Sequence, residues 1–190
     1  INTTPTASIS YTSPWCEDNT NAQTVTLTGT DAYTGGSYTS TAGLIINSFS
    51  GDILPSSSTP GAYVVTYTIP ASGGCAAVDV TTNVTITELP TALIDYADPF
   101  CTTDATAQVV TASGTAAWTG GTYSAGAGLT IDPVSGDIDA STSTAGVYTV
   151  TYTVPASGGC SSVPATTSVT ITQGPTAAID YTDPFCTDFA

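Results

Sequence analysis

Residues 144–154 read Thr-Ala-Gly-Val-Tyr-Thr-Val-Thr-Tyr-Thr-Val, and residues 59–69 read Thr-Pro-Gly-Ala-Tyr-Val-Val-Thr-Tyr-Thr-Ile. Side chains two apart share one face of a β-strand, and here every second residue from the tyrosine onward is large and apolar. Tyr63, Val65, Tyr67 and Ile69 therefore make one inward face, and Tyr148, Val150, Tyr152 and Val154 make another. The two stretches lie 85 residues apart, and that offset governs the whole chain. Pro5 aligns with Pro90 and Pro175, Cys16 with Cys101 and Cys186, Cys75 with Cys160, and Gly51 with Gly136. Residues 5–89 match residues 90–174 without a gap, and 48 of the 85 positions are identical. A fixed period of this kind signals an array of structural units. A chemical site built once needs no copies, so the period points to a mechanical or adhesive task.

The period sets the expected domains: residues 1–4 end a preceding linker or repeat, 5–89 form repeat 1, and 90–174 form repeat 2. Residues 175–190 would be the first strand and Cys of a truncated repeat 3. The chain thus reads as a window cut from a longer protein. Each repeat is read as about seven short strands bounded by Gly, Pro, Asn and Asp. In repeat 1 they begin with Thr6–Tyr11 and Gln23–Thr28, followed by a strand carrying Tyr38 and by Leu44–Ile46. Ile53 follows a Ser-Gly-Asp turn, and Tyr63–Ile69 and Val84–Thr87 close the unit. Seven strands in 85 residues imply two antiparallel sheets packed face to face.

The chain has no Lys, Arg or His and 15 acids. Without cations a phosphate backbone cannot be neutralised, which excludes nucleic acid as a partner. Attraction to anionic lipid fails for the same reason, and no apolar run approaches the roughly 18 residues of a membrane span. No side-chain ion pair can form, so cohesion must come from burial, β-ladders, disulfides or bound cations. The hydrophobic share of 41 % and its strict alternation argue against disorder and against a mucin-like stalk.

The order Gly-x-Tyr-x-Val at residues 61–65 and 146–150 resembles the tyrosine corner of immunoglobulin-like domains, with Tyr63 and Tyr148 as its signature residues. Val65 and Val150 stand where antibody domains carry their second core Cys. Residues 128–138, Gly-Leu-Thr-Ile-Asp-Pro-Val-Ser-Gly-Asp-Ile, resemble bacterial immunoglobulin-like or cadherin-like surface repeats. With Pro99-Phe-Cys101 and Ser157-Gly-Gly-Cys160 added, the chain resembles repeats of the giant surface adhesins of Bacteroidota, several of which belong to gliding and type 9 secretion systems. The resemblance covers essentially the whole chain. It implies an extracellular, non-catalytic filament on a bacterial surface and names no ligand.

Two Cys per repeat in an extracellular chain point to disulfides. The simplest pairing is Cys16–Cys75 with Cys101–Cys160, leaving Cys186 with a partner outside the window. Immunoglobulin topology opens an alternative. The first Cys would lie at the bottom of a domain and the second at the top, so Cys16–Cys160 would staple neighbours. Free or intermolecular thiols are the third reading.

Glu88, Asp95, Asp98, Asp180 and Asp183 flank the repeat junctions, where Ca2+ could be held by clustered carboxylates. The competing reading makes them solvated turn acids, because Ser10 and Ser13 replace Asp95 and Asp98 in the first copy, and Asn47 replaces Asp132. No cofactor is otherwise implied. Tyr33 and Trp118, each before a Gly-Gly turn, are candidate stacking platforms for sugar; sheet-edge packing is the simpler role. Trp15, Phe100 and Phe185 precede a Cys and are expected in the core. No His, Lys or Arg is present to act as base or anion clamp, so the chain is not read as an enzyme. The reading is a surface fibre or adhesin stalk whose partners are neighbouring repeats of its own chain. The alternatives are a laterally self-assembling filament of chain copies and a multivalent binder of surface glycans.

Overall fold

The computed structural model describes residues 3–180. Asp183, Phe185 and Cys186 lie outside the described residues. The chain is all-β and immunoglobulin-like, and its one short helix among the described residues is the 3-10 turn Pro55–Ser57. The first six strands are β1 (Thr6–Ser10), β2 (Trp15–Cys16), β3 (Thr26–Thr30), β4 (Ser37–Ser40), β5 (Gly61–Ile69) and β6 (Val78–Thr87). The next five are β7 (Thr91–Asp95), β8 (Phe100–Cys101), β9 (Ala107–Gln108), β10 (Thr111–Thr115) and β11 (Thr122–Ala125). The last four are β12 (Thr130–Ile131), β13 (Ile138–Asp139), β14 (Gly146–Val154) and β15 (Val163–Thr172).

Packing divides the chain into two compact units. Among the described residues, the first holds 3–93, 112–122 and 152–165; the second holds 94–111, 123–151 and 166–180. In the first unit, β5 is the organising strand. It pairs antiparallel with β6 over its full length, from Gly61↔Ile86 to Ile69↔Val78, and with β4 on its other side. β2 adds to β6 in parallel, giving the sheet order β2-β6-β5-β4. The facing sheet is the antiparallel pair β1–β3, extended by bridges from Ile53 to Gln23 and Ile46. Tyr63, Val65, Tyr67, Ile69, Val84 and Ile86 from one sheet meet Ile9 and Ile53 from the other, together with Leu44, in a single buried cluster. Fully burying each such aliphatic side chain stabilises by about 1.5–3 kcal/mol.

In the second unit, β8 adds in parallel to β15, with Phe100 opposite Ile171 and Cys101 opposite Thr172. β13 pairs with β12 and β9. The sheet orders β11-β14-β15-β8 and β10-β7 reproduce those of the first repeat, element for element.

The structure differs from the sequence reading in several details: Gln23–Thr28 becomes a bridge at Gln23 and the strand Thr26–Thr30. β2 is a strand, although two residues carry no periodicity. Leu44–Ile46 is reduced to a bridge at Ile46. The last strand begins at Val78 rather than Val84. Asp79 and Asn83 are poor strand formers, but the continuous ladder to β5 overrides their propensity.

Candidate functional site: the disulfide between repeats

The sequence Ser-Gly-Gly-Cys builds one half of the site. Gly158 and Gly159 take φ of 59° and 84°, the left-handed pair that a two-residue type I′ hairpin requires. Ser157 and Cys160 close the turn with reciprocal backbone bonds of 3.1 and 2.8 Å. Cys160 is thereby held at the tip of the hairpin that leads into β15. The other half is Cys16, at the end of β2. Cys16 lies opposite Thr87, the last residue of β6, and Glu17 N–H donates to Thr87 O at 2.9 Å.

Cys16 and Cys160 form a disulfide with a Cα–Cα distance of 4.6 Å across 144 residues of sequence. Both belong to the first compact unit, and both are buried. Cys160 Sγ lies 3.9 Å from Thr87 O and 3.7 Å from Glu88 O, at the end of repeat 1. The fit is tight: a Cβ on Gly159 would stand 2.5 Å from Pro14 O, and one on Gly158 would stand 2.7 Å from Thr87 Cγ2.

This corrects the pairing Cys16–Cys75 with Cys101–Cys160; Cys75 and Cys101 are free thiols. The reason lies in strand length. Cys16 sits beside Thr87, at the end of β6, whereas Cys75 precedes the start of that ten-residue strand at Val78. Ten strand residues span about 33 Å, while a disulfide needs Cα atoms within about 7 Å. Cys101 likewise lies opposite Thr172, at the end of β15, a strand that starts three residues after Cys160.

Among the described residues, the candidate Ca2+ ligands are not gathered. Glu88, Asp95 and Asp180 are exposed, and among the described residues no three His, Cys, Asp or Glu side chains group where they could hold a metal ion. Asp98 has a backbone task instead, accepting a hydrogen bond from Thr170 N–H at 2.9 Å. Ser13, its counterpart, accepts from Thr85 N–H at 2.7 Å. Each precedes a cis-proline, Pro14 or Pro99. Asn47 and Asp132 are matched in the same way: Asn47 Oδ1 accepts from Phe49 and Ser50 N–H, and Asp132 Oδ1 accepts from Val134 and Ser135 N–H. The bonds from Ser135 and Val134 hold the Asp132 carboxyl below its ordinary value. At both position pairs an acceptor oxygen is kept while its charge is not.

Tyr33 and Trp118 are half-exposed. Each lies against a glycine of the neighbouring strand, where a Cβ on Gly29 would meet Tyr33 Cγ at 2.6 Å and one on Gly114 would meet Trp118 Cγ at 2.5 Å. Their carbonyls accept from Tyr67 and Tyr152 Oη at 2.9 and 3.0 Å. Trp15 and Phe100 are buried, each edge-on to a tyrosine, Tyr11 or Tyr96. Tyr63 Oη donates to Thr59 O at 2.5 Å and Tyr148 Oη to Thr144 O at 2.9 Å, the hydrogen bond of a tyrosine corner. A second shared tyrosine bond joins Tyr11 to Gly51 O at 2.6 Å and Tyr96 to Gly136 O at 2.5 Å. Burial pushes both phenols above their ordinary pKa.

No protein-family model matches the chain, and no curated protein matches it. Among solved structures it is similar to Drosophila N-cadherin EC1–4 at 12 % identity, covering 86 % of this chain and 49 % of that one, with a TM-score of 0.45. Sidekick-1 immunoglobulin domains 1–5 match at 14 % identity, covering 90 % and 40 %, with a TM-score of 0.43. A SusE-like surface-located polysaccharide-binding protein from the Bacteroides thetaiotaomicron heparin utilisation locus matches at 11 % identity, covering 88 % and 34 %, with a TM-score of 0.34. The chain spans half the length of these proteins or less. What stands on its own strand order and tyrosine bonds is an all-β, immunoglobulin-like protein.

Proposed function

We propose that this chain is a non-catalytic, load-bearing segment of a long extracellular repeat protein, a surface fibre or adhesin stalk on a bacterial cell. The Cys16–Cys160 disulfide carries the reading, because it joins one repeat to the next rather than stapling a repeat to itself. Disulfides persist in oxidising compartments, which fits an extracellular position. The 15 acids and the absence of cations keep such fibres apart by like-charge repulsion. Surface glycans are the other reading, supported by half-exposed Tyr33 and Trp118. Both rings already serve to cover Gly29 and Gly114, which weakens it.

Pulling on the two ends of a single chain tests the mechanical reading. While the disulfide is intact, the 144-residue span it closes cannot be stretched by force on the ends. Reductant should free roughly 500 Å of further extension, at about 3.4 Å per residue. Equal extensions with and without reductant would overturn the proposal.

A further inference from the structure

The hairpin that carries Cys160 has a twin in repeat 1, whose cysteine is a free thiol. Ser72 and Cys75 close the same turn with bonds of 3.2 and 2.9 Å, and Gly74 takes φ of 86° where Gly159 takes 84°. The surroundings differ. A Cβ on Gly159 would strike Pro14 and Trp15, but a Cβ on Gly74 would meet nothing within 4 Å. Where Pro14-Trp15-Cys16 covers the second hairpin, the first borders a cavity of about 330 Å3 lined by residues that include Pro5, Ala32, Ile69, Pro70 and the Cys75 thiol. The opposite half is also available. Pro99-Phe100-Cys101 aligns with Pro14-Trp15-Cys16, follows a cis peptide as that segment does, sits in the same parallel pairing to a last strand, and ends in a free, half-buried thiol.

We propose that the cavity beside Cys75 is a docking site for the Pro-aromatic-Cys turn of another repeat of this sequence, with Cys75 closing a disulfide to that turn's cysteine. The formed link shows how such a hairpin is engaged; the first hairpin offers the same turn closure and a free thiol. The inference deepens the load-bearing reading by naming what the free end of a repeat binds. A small-molecule disulfide is the oxidant. The incoming Cys101 thiolate attacks it, one of its two sulfurs leaves as thiolate, and a mixed disulfide forms on Cys101. The Cys75 thiolate then attacks Cys101 Sγ and expels the second. One S–S bond breaks and one forms; two electrons pass from the protein thiols to the oxidant, and their two protons leave on two small thiols. Hydrogen bonding to Thr103 holds the Cys101 thiol below its usual pKa, which favours its thiolate.

The test lengthens the chain by one period, inserting a copy of residues 90–174 between Thr4 and Pro5. The lengthened chain is oxidised with glutathione disulfide, digested without reduction and mapped. The expected result is two links, Cys16–Cys160 and Cys75 to the inserted copy's Cys101. Ala32→Trp fills the cavity and should lower the Cys75 link at least tenfold while Cys16–Cys160 stays complete. Cys75 left alkylatable in the lengthened chain, or linked equally well after Ala32→Trp, would overturn the proposal. In every arm the Cys16–Cys160 peptide is read from the same digest, so failure of docking and failure of the load-bearing link are separately visible.

Discussion

At the scale of single residues, the two repeats keep the position of an acceptor oxygen and let its charge vary. Ser13 and Asp98 pin the last strand, Asn47 and Asp132 cap a turn, and Glu17 and Thr102 accept from Leu89 and Gly174 N–H at 2.9 Å in both cases. The chemistry asked of each is to satisfy backbone N–H groups at an irregular turn. Asp132→Asn should therefore leave the melting temperature at neutral pH close to that of the parent, whereas Asp132→Ala should lower it. The pH dependence separates them further. The Asp132 carboxyl is depressed in the folded state, so its contribution is complete above the ordinary Asp value of 3.8 and disappears as pH falls through the lower folded value. Thermal melts between pH 7 and pH 2 should show that loss in the parent and a flatter profile for Asp132→Asn. The tyrosine corners were legible in the sequence, because Gly-x-Tyr-x-Val is a local signature of a local bond. The backbone roles of Ser13 and Asp98 were not, since their partners lie 72 residues away and an exposed acid in sequence looks the same whether it binds metal, water or an amide.

At the scale of elements, strand length decides which cysteines can meet. A ten-residue β6 separates the two thiols of a repeat by its whole length, and a Gly-Gly hairpin then presents the second thiol to the next repeat. The hairpin was legible as Ser-Gly-Gly-Cys; the length of β6 was not, because Asp79 and Asn83 are poor strand formers and Thr82 interrupts the apolar residues on its inward face. The simplest pairing, within each repeat, failed on that point, and the alternative across repeats is the one formed. Gly159 and Gly74 give a matched test. An alanine at either position carries the cost of a left-handed φ, about 1–2 kcal/mol. Only Gly159→Ala also forces a Cβ to within 2.5 Å of Pro14 O. After refolding with glutathione disulfide and alkylation, Gly159→Ala should leave most of Cys16 and Cys160 as thiols, and Gly74→Ala should leave the link intact. Equal link yields for the two variants would mean that the hairpin does not fit against repeat 1 as described.

At the scale of the whole molecule, a chain with 15 acids and no cation gains nothing from ion pairs. Among the described residues, its stability rests on the sandwich cores, the ladders and one covalent link. Closing a loop of 144 residues restricts the unfolded chain, worth about 5 kcal/mol on the chain-entropy account. The period was legible without any structure, since 85 residues repeat from Pro5 onward, and it already argued for an array over a single catalytic site. How the array is fastened was not legible, because both pairings join a first-type to a second-type cysteine and differ only in which repeat supplies it. The decisive measurement is therefore a non-reducing peptide map of the purified chain, made with proteases that cut at acidic or aromatic residues, since trypsin finds no site. A linked peptide pair carrying Cys16 and Cys160, with Cys75 and Cys101 alkylated, is the expected result. Cys16 linked to Cys75 would contradict the account, reducing the chain to separately stapled domains with no covalent path between them beyond the backbone.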